Sequence, residues 1–172
     1  MKRILFGLIS LIFIGVGVSF LFGTTEKEEV NKDVLIAHEY QNAVTIEDYE
    51  DFLDNHYYTR DEQTQYYVAN TMLKLALAFA DKNNIEAELK TYNQLVQRFI
   101  KTNNNQIKQS VVQALLNKAK REREQNNPTL ALSTYTEAIK TFKHSRNTEV
   151  CSLVLEAERE KDHLRQELAR NN

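Results

Sequence analysis

The sequence predicts an all-α protein in which antiparallel helix pairs follow one N-terminal transmembrane helix. All four glycines lie in the first 23 residues, and Pro128 is the only proline of the 172-residue chain. Such a chain has few positions that adopt a positive φ at low cost, which disfavours the tight turns of β-hairpins. Apolar residues recur at threes and fours, and short polar turns separate these segments, as expected for neighbouring amphipathic helices.

The first predicted element is a membrane anchor at residues 4–23. This stretch is uncharged, and twenty residues of helix reach about 30 Å, the thickness of the hydrocarbon core of a bilayer. It is longer than the apolar region of a typical cleaved signal peptide, so we expect an uncleaved anchor, with cleavage after Ser19 as the alternative. Lys2 and Arg3 precede it, and the positive-inside bias therefore predicts a cytoplasmic N-terminus with residues 24–172 on the periplasmic or extracytoplasmic side.

Residues 24–44 follow as a predicted polar stalk with a short helix near 34–40, and a helical domain spans 45–172. Six helices are expected in that domain, one beginning at Thr45 and the others covering about 61–82, 85–101, 106–125, 128–143 and 147–170. Each carries an apolar stripe, which predicts that the helices pack on one another. The stripe of the last helix thins after Ala157, which suits a terminal helix with one face in water.

Capping residues predict where several of these helices begin. Thr45 and Asp48 have the spacing of a capping box, in which each side chain binds the backbone of the other residue. Thr59 and Glu62 repeat that spacing. The Asn-Pro pair at 127–128 combines a preferred N-cap with a residue that fits the first helical position.

Two helix pairs superpose when Tyr92 is aligned with Tyr135, an offset of 43 residues. The alignment also superposes the turn Asn83-Asn84 on the turn Asn126-Asn127. Each pair then matches part of one residue pattern, through Leu75, Ala76, Phe79 and Tyr92 in the first pair and through Ala119, Ala131, Tyr135 and Ala138 in the second. Over about residues 69–143 this pattern resembles the tetratricopeptide repeat.

The resemblance has departures. The tetratricopeptide repeat has a usual period of about 34 residues, and the copies here are longer. Four residues do not fit the pattern, namely Glu88, Leu95, Lys118 and Glu122. The predicted fold is therefore a tetratricopeptide-like α-solenoid, with a generic helical bundle as the alternative.

The resemblance implies a protein-interaction module. In that family the first helix of each pair lines a concave groove that receives a peptide or a partner helix. The corresponding positions here are Asn70, Leu73, Lys74, Leu77, Gln113, Leu116, Asn117, Lys120 and Arg123. Asparagine, lysine and arginine at these positions suit a carboxylate or an acidic partner.

Charge is divided unevenly along the chain. Residues 26–62 carry a net charge of −9, and residues 63–172 carry a net charge of +5. Two interpretations stay open: two solvated surfaces of opposite sign, or an acidic segment that docks on the basic helices or competes with a partner for them.

The sequence contains no recognisable catalytic constellation, so we expect no enzyme activity, no cofactor and no metal site. The scarcity of glycine excludes Gly-rich phosphate loops and the G-x-S-x-G elbow. Cys151 is the only cysteine and none of the four histidines forms an H-E-x-x-H motif, so no zinc site is expected. Glutamates interrupt the basic cluster near Lys120, and we therefore expect no nucleic-acid partner.

The expected function is a membrane-anchored, noncatalytic adaptor or scaffold of the cell envelope that binds protein or peptide partners. The alternative is a structural helical-bundle subunit of a membrane protein complex. A homo-oligomer is also open, because Gly15 and Ser19 have a spacing that supports helix pairing in membranes and Cys151 is available for an intermolecular disulfide.

Overall fold

The computed structural model describes the backbone of residues 24–170 and the side chains of residues 32–170. Within that range the protein is all-helical. Its seven helices are α1 (Thr24–Asn42), α2 (Ile46–His56), α3 (Glu62–Asp81), α4 (Ile85–Phe99), α5 (Asn105–Glu124), α6 (Pro128–Phe142) and α7 (Thr148–Arg170). The all-α class is thereby confirmed, and the helices predicted from residue 45 onward begin and end within a few residues of their expected positions.

The predicted membrane anchor, residues 4–23, lies outside the described residues. From residue 24 to residue 170, no helix combines the length and the apolar character that crossing a bilayer requires.

The beginnings of α2 and α3 depend on different caps. In α2 the capping box is present: Thr45 Oγ1 accepts from Asp48 N–H at 3.1 Å, and Asp48 Oδ2 accepts from Thr45 N–H at 2.8 Å. In α3 the prediction of Thr59 as the cap is wrong. Asp61 is the N-cap, and its carboxylate accepts from the backbone N–H of Thr64 at 2.6 Å. Asp61 stands three residues before that N–H, which is the reach of an N-cap side chain.

Asparagine ends two of the helices. Asn83 and Asn126 have φ of 54° and 59°, the left-handed region. The N–H groups of the following residues, Asn84 and Asn127, donate to carbonyls five residues back at 2.9 Å. This arrangement is a Schellman motif, and asparagine takes the position that glycine usually occupies.

The segment predicted as a polar stalk differs from the expected short helix near 34–40. Helix α1 covers Thr24–Asn42, and its side chains Ile36 and Tyr40 pack against the core. The Tyr40 ring stacks on Tyr67 of α3, with centroids 4.5 Å apart. Two apolar residues four positions apart lie on one face of a helix, and they attach α1 to the domain.

Helices adjacent in the chain contact one another throughout the described residues. In addition, each odd-numbered helix contacts the next odd-numbered helix: α1 with α3, α3 with α5, and α5 with α7. The described parts of α2, α4 and α6 make no such contacts among themselves. The helices α1, α3, α5 and α7, here called the odd-helix layer, therefore form one continuous layer, and α2, α4 and α6 cover its other side.

The core lies between these two layers. The two tyrosines that the sequence alignment superposed, Tyr92 and Tyr135, are both buried. Burial is the main cause that raises the pKa of each phenol to about 12. Both side chains are therefore uncharged over the physiological pH range, and each fills the interior between α4 or α6 and its neighbours.

The acidic segment contacts the domain through apolar residues. Phe52 of α2 is completely buried, and Leu53 and Tyr57 pack beside it. Among the described side chains, Glu47, Glu50, Asp51 and Asp54 form no ion pair. Helix α2 is therefore attached to α3 by its apolar face, and these four carboxylates remain in solvent.

Candidate functional site

The predicted groove residues of α3 lie beside α1. Asn70 donates a side-chain hydrogen bond to the hydroxyl of Tyr40, and Lys74 Nζ lies 4.2 Å from the centroid of the Tyr40 ring. Leu73 is partly buried against the core, and Leu77 remains exposed. Helix α1 thus covers part of the surface that the sequence predicted to be open.

Three of the five predicted groove residues of α5 are a polar pair, Gln113 and Asn117, and a core residue, Leu116. Gln113 donates to the side-chain oxygen of Asn117 at 3.0 Å. Leu116 is completely buried, so its assignment as a groove residue is wrong. Helix α5 packs against α3, α4, α6 and α7. It therefore leaves only a narrow strip of its surface for solvent or ligand.

The two basic groove residues are paired with the last helix. Lys120 Nζ lies 2.8 Å from Glu156 Oε1. Arg123 Nη2 lies 2.7 Å from both carboxylate oxygens of Glu167, and Arg123 Nη1 lies 3.7 Å from Glu160. Lys120 and Arg123 are therefore paired with carboxylates of α7 in the same chain, and an acidic partner for them stays a prediction.

A cleft of about 280 Å³ lies between α3 and α5 on the odd-helix layer and is here called the α3–α5 cleft. It is lined by Tyr66, Asn70, Leu73, Gln106, Gln109, Ser110 and Gln113. The structure therefore brings together three of the predicted residues, Asn70, Leu73 and Gln113. The other predicted residues of α3 and α5 do not line it.

The cleft is polar and carries no formal charge. Burial is the main cause that raises the pKa of Tyr66, and its phenol therefore stays neutral at physiological pH. Each amide side chain offers two donors and one acceptor oxygen, and these are the groups that pair with a peptide backbone. Asn70, Gln106, Gln109 and Gln113 present such amides, and Leu73 supplies an apolar contact.

Sequence reasoning missed Tyr66, Gln106, Gln109 and Ser110. A signal for two of them was present, since Gln106, Gln109 and Gln113 repeat at three and four residues and share one face of a helix. That stripe of amides is the feature that distinguishes this face of α5 from its apolar faces.

Two buried carboxylates lie at positions that depart from the repeat pattern. Glu88 of α4 accepts a hydrogen bond from Arg121 Nε at 2.8 Å, and Glu122 of α5 accepts one from Thr134 Oγ1 at 2.7 Å. Burial outweighs the nearby guanidinium and raises the pKa of Glu88. These polar contacts link α4, α5 and α6 at two of the four positions that do not fit the repeat pattern.

No group of three or more His, Cys, Asp or Glu side chains is arranged to hold a metal ion in the part of the chain whose side chains are described. Comparisons with protein-family models, with curated proteins and with solved structures find no match to this chain. Over residues 24–170 the fold defines an all-helical protein, and the amide-lined α3–α5 cleft lies on its odd-helix layer.

Proposed function

We propose that this chain is a membrane-anchored, noncatalytic adaptor of the cell envelope that binds a partner protein through the α3–α5 cleft of a tetratricopeptide-like domain. The observation that carries the proposal is the cleft itself, in which amide side chains of two successive odd-numbered helices face one space. Neutral donors and acceptors arranged in this way suit an extended peptide better than a charged small molecule.

The helix arrangement supports the repeat interpretation. Each odd-numbered helix contacts the next, and the even-numbered helices do not contact one another within residues 24–170. Stacked helix pairs produce such an arrangement, in which each unit contacts only its neighbours. The equivalent burial of Tyr92 and Tyr135 adds to this interpretation.

The anchor is proposed from the sequence of residues 4–23, which is uncharged and long enough to cross a bilayer. The described part of helix α1, Thr24–Asn42, follows that segment in the sequence and packs on α2 and α3. An anchor joined to a packed helix holds the cleft close to the membrane surface. A partner of this domain is accordingly a protein at or near the same membrane.

The proposal is tested by crosslinking the full-length chain in native membranes, followed by purification and mass spectrometry. The cleft variant is Gln106→Arg/Gln109→Arg, because both residues are exposed and their replacement leaves the core intact. The matched control is Gln97→Arg/Asn103→Arg, which adds the same charge at exposed positions outside the cleft.

A partner that is recovered with the wild type and the control, and lost with the cleft variant, supports the adaptor. A partner that is retained by the cleft variant and lost when residues 1–23 are removed supports the structural-subunit alternative instead. The pair Lys120 and Arg123 is unsuitable for this experiment, because changing it disturbs the contact with α7.

A further inference from the structure

A second groove lies on the opposite side of the molecule from the α3–α5 cleft. Helices α2 and α4 both pack on α3, and their backbones do not approach one another over the described residues. The space between them, here called the α2–α4 groove, has a volume of about 470 Å³. This size is within the range of about 300–1,000 Å³ that is common for ligand-binding clefts.

The floor and the rim of the groove differ in polarity. Leu53, Met72 and Leu75 form an apolar floor. Glu50 and Asp54 of α2 lie at the rim, and both are exposed. A groove of this kind fits an occupant that carries apolar side chains on one side and positive charge on its flanks.

The negative charge of the rim is not neutralised within the described residues. Helix α2 carries five Asp or Glu residues and no Lys or Arg. Asp48 binds the N-terminus of its own helix, and Glu50 and Asp54 form no ion pair with a described side chain. Arg98 of α4 lies nearby, but its guanidinium is stacked 4.3 Å from the Tyr57 ring centroid.

One large aromatic side chain projects from the rim. Tyr58 lines the groove and is 86% exposed. Its ring meets Tyr57 edge to face, with centroids 5.0 Å apart. Tyrosine is among the residues that most often dominate protein interfaces, because a rigid ring offers contact area and a hydroxyl together.

We propose that the α2–α4 groove is a second docking surface, and that its occupant is a basic amphipathic segment of a partner protein. The apolar side chains of that segment lie on Leu53, Met72 and Leu75, and its lysines or arginines pair with Glu50 and Asp54. An anionic lipid surface does not fit, because the exposed carboxylates of α2 repel it. The surface is separate from the proposed α3–α5 cleft and does not depend on it.

The test uses the full-length chain in nanodiscs of zwitterionic lipid, with empty nanodiscs as the background. The probe is a fluorescent synthetic peptide of leucine and lysine arranged as an amphipathic helix, and binding is measured by anisotropy. The groove variant is Glu50→Lys/Asp54→Lys. The matched control is Glu47→Lys/Asp51→Lys, which makes the same charge change at exposed positions of α2 outside the groove.

The wild type is expected to bind the peptide, and the groove variant to bind it about tenfold more weakly, because each reversed charge repels a lysine at close range. The control variant is expected to bind the peptide more tightly than the groove variant does, because Glu47 and Asp51 do not line the groove. Tyr58→Ala removes an exposed ring without touching the core and is expected to weaken binding several-fold.

Equal losses in the groove variant and in the control would show nonspecific attraction to an acidic helix and would overturn the proposal. Absence of binding by the wild type, or unchanged binding by both Glu50→Lys/Asp54→Lys and Tyr58→Ala, would overturn it as well. The cleft variant Gln106→Arg/Gln109→Arg is expected to bind this peptide like the wild type. This comparison distinguishes failure of the proposed adaptor function from failure of peptide binding at the α2–α4 groove.

Discussion

At two turns of this chain, asparagine occupies a left-handed position where glycine is the usual residue. Asn83 and Asn126 adopt positive φ values, and each lies directly after the C-cap of a helix. Residues with a Cβ atom pay a steric penalty in this region, and asparagine is among the few that visit it readily. The sequence predicted turns at both positions because asparagine is the residue that combines this tolerance with helix capping.

Replacing Asn126 tests whether the positive φ of this turn requires asparagine or glycine. Asn126→Ala is expected to lower the free energy of unfolding by about 1 kcal/mol, because alanine is disfavoured in the left-handed region. Asn126→Gly is expected to be at least as stable as the wild type at that position. Urea denaturation measures both. Asn103→Ala, in a turn without positive φ, is the control, and an equal loss there would refute the argument.

A buried carboxylate gives a pH-dependent prediction. Burial raises the pKa of Glu88 above its ordinary value of 4.5, despite the hydrogen bond from Arg121. The folded state then binds a proton more tightly than the unfolded state does, so this residue's contribution to stability falls as the pH rises through that pKa. Relative to Glu88→Gln, the wild type is therefore expected to gain stability between pH 7 and pH 4.

This difference is measured by urea unfolding of both proteins at the two pH values. The comparison with Glu88→Gln removes the titration of the other carboxylates, which both proteins share. If the wild type instead loses stability relative to the variant on acidification, the ion pair with Arg121 outweighs burial, and the stated cause of the pKa shift is wrong.

At the scale of the helices, local sequence patterns predicted the helix boundaries but not the contacts between distant segments. The boundaries of α2 to α7 follow from apolar spacing and capping residues, which act within a few positions along the chain. The contacts of α7 with Lys120 and Arg123 join residues 36 and 44 positions apart, and no local pattern reports them. The resemblance to a repeat family predicted an open groove at these residues, whereas carboxylates of the last helix pair with them.

The contact between α5 and α7 is tested by charge reversal. Lys120→Glu/Arg123→Glu places like charges opposite Glu156, Glu160 and Glu167, and hydrogen exchange in the second half of α7 is expected to accelerate. Each pair is partly exposed, and such pairs contribute about 0–1 kcal/mol, so global unfolding is not expected. Exchange in α3 serves as the internal control.

Rescue makes this prediction specific. Adding Glu156→Lys/Glu167→Lys restores opposite charges across the interface and is expected to return protection to the second half of α7. Unchanged exchange in the first variant, or failure of the four-fold variant to recover, would show that apolar residues such as Leu164 hold the helix without these ion pairs.

At the scale of the whole molecule, the acidic and basic parts of the chain lie on different surfaces of the domain. The acidic residues of α2 remain in solvent beside the α2–α4 groove, and Lys120 and Arg123 of α5 pair with carboxylates of α7. The sequence could show the imbalance of charge, but it left open whether the acidic segment docks on basic helices. The answer depends on Phe52, whose burial attaches α2 by its apolar face.

The proposed membrane anchor predicts how the full-length chain behaves when membranes are extracted. Residues 4–23 are expected to keep the full-length protein in the membrane pellet during extraction with alkaline carbonate, because a spanning helix of about 20 apolar residues is not released by high pH. A chain that begins at residue 24 is expected in the supernatant. Release of the full-length chain would contradict the anchor. Protease protection in intact vesicles separately reports on which side of the membrane the domain lies.

Site-specific photocrosslinking in living cells tests whether a partner protein occupies the proposed α3–α5 cleft. A photoreactive residue is introduced at Gln109, which is exposed and lines the cleft, and separately at Gln97, which is exposed on α4. We expect a discrete crosslinked product from Gln109 and none from Gln97. No product from Gln109, or the same products from both positions, would contradict it.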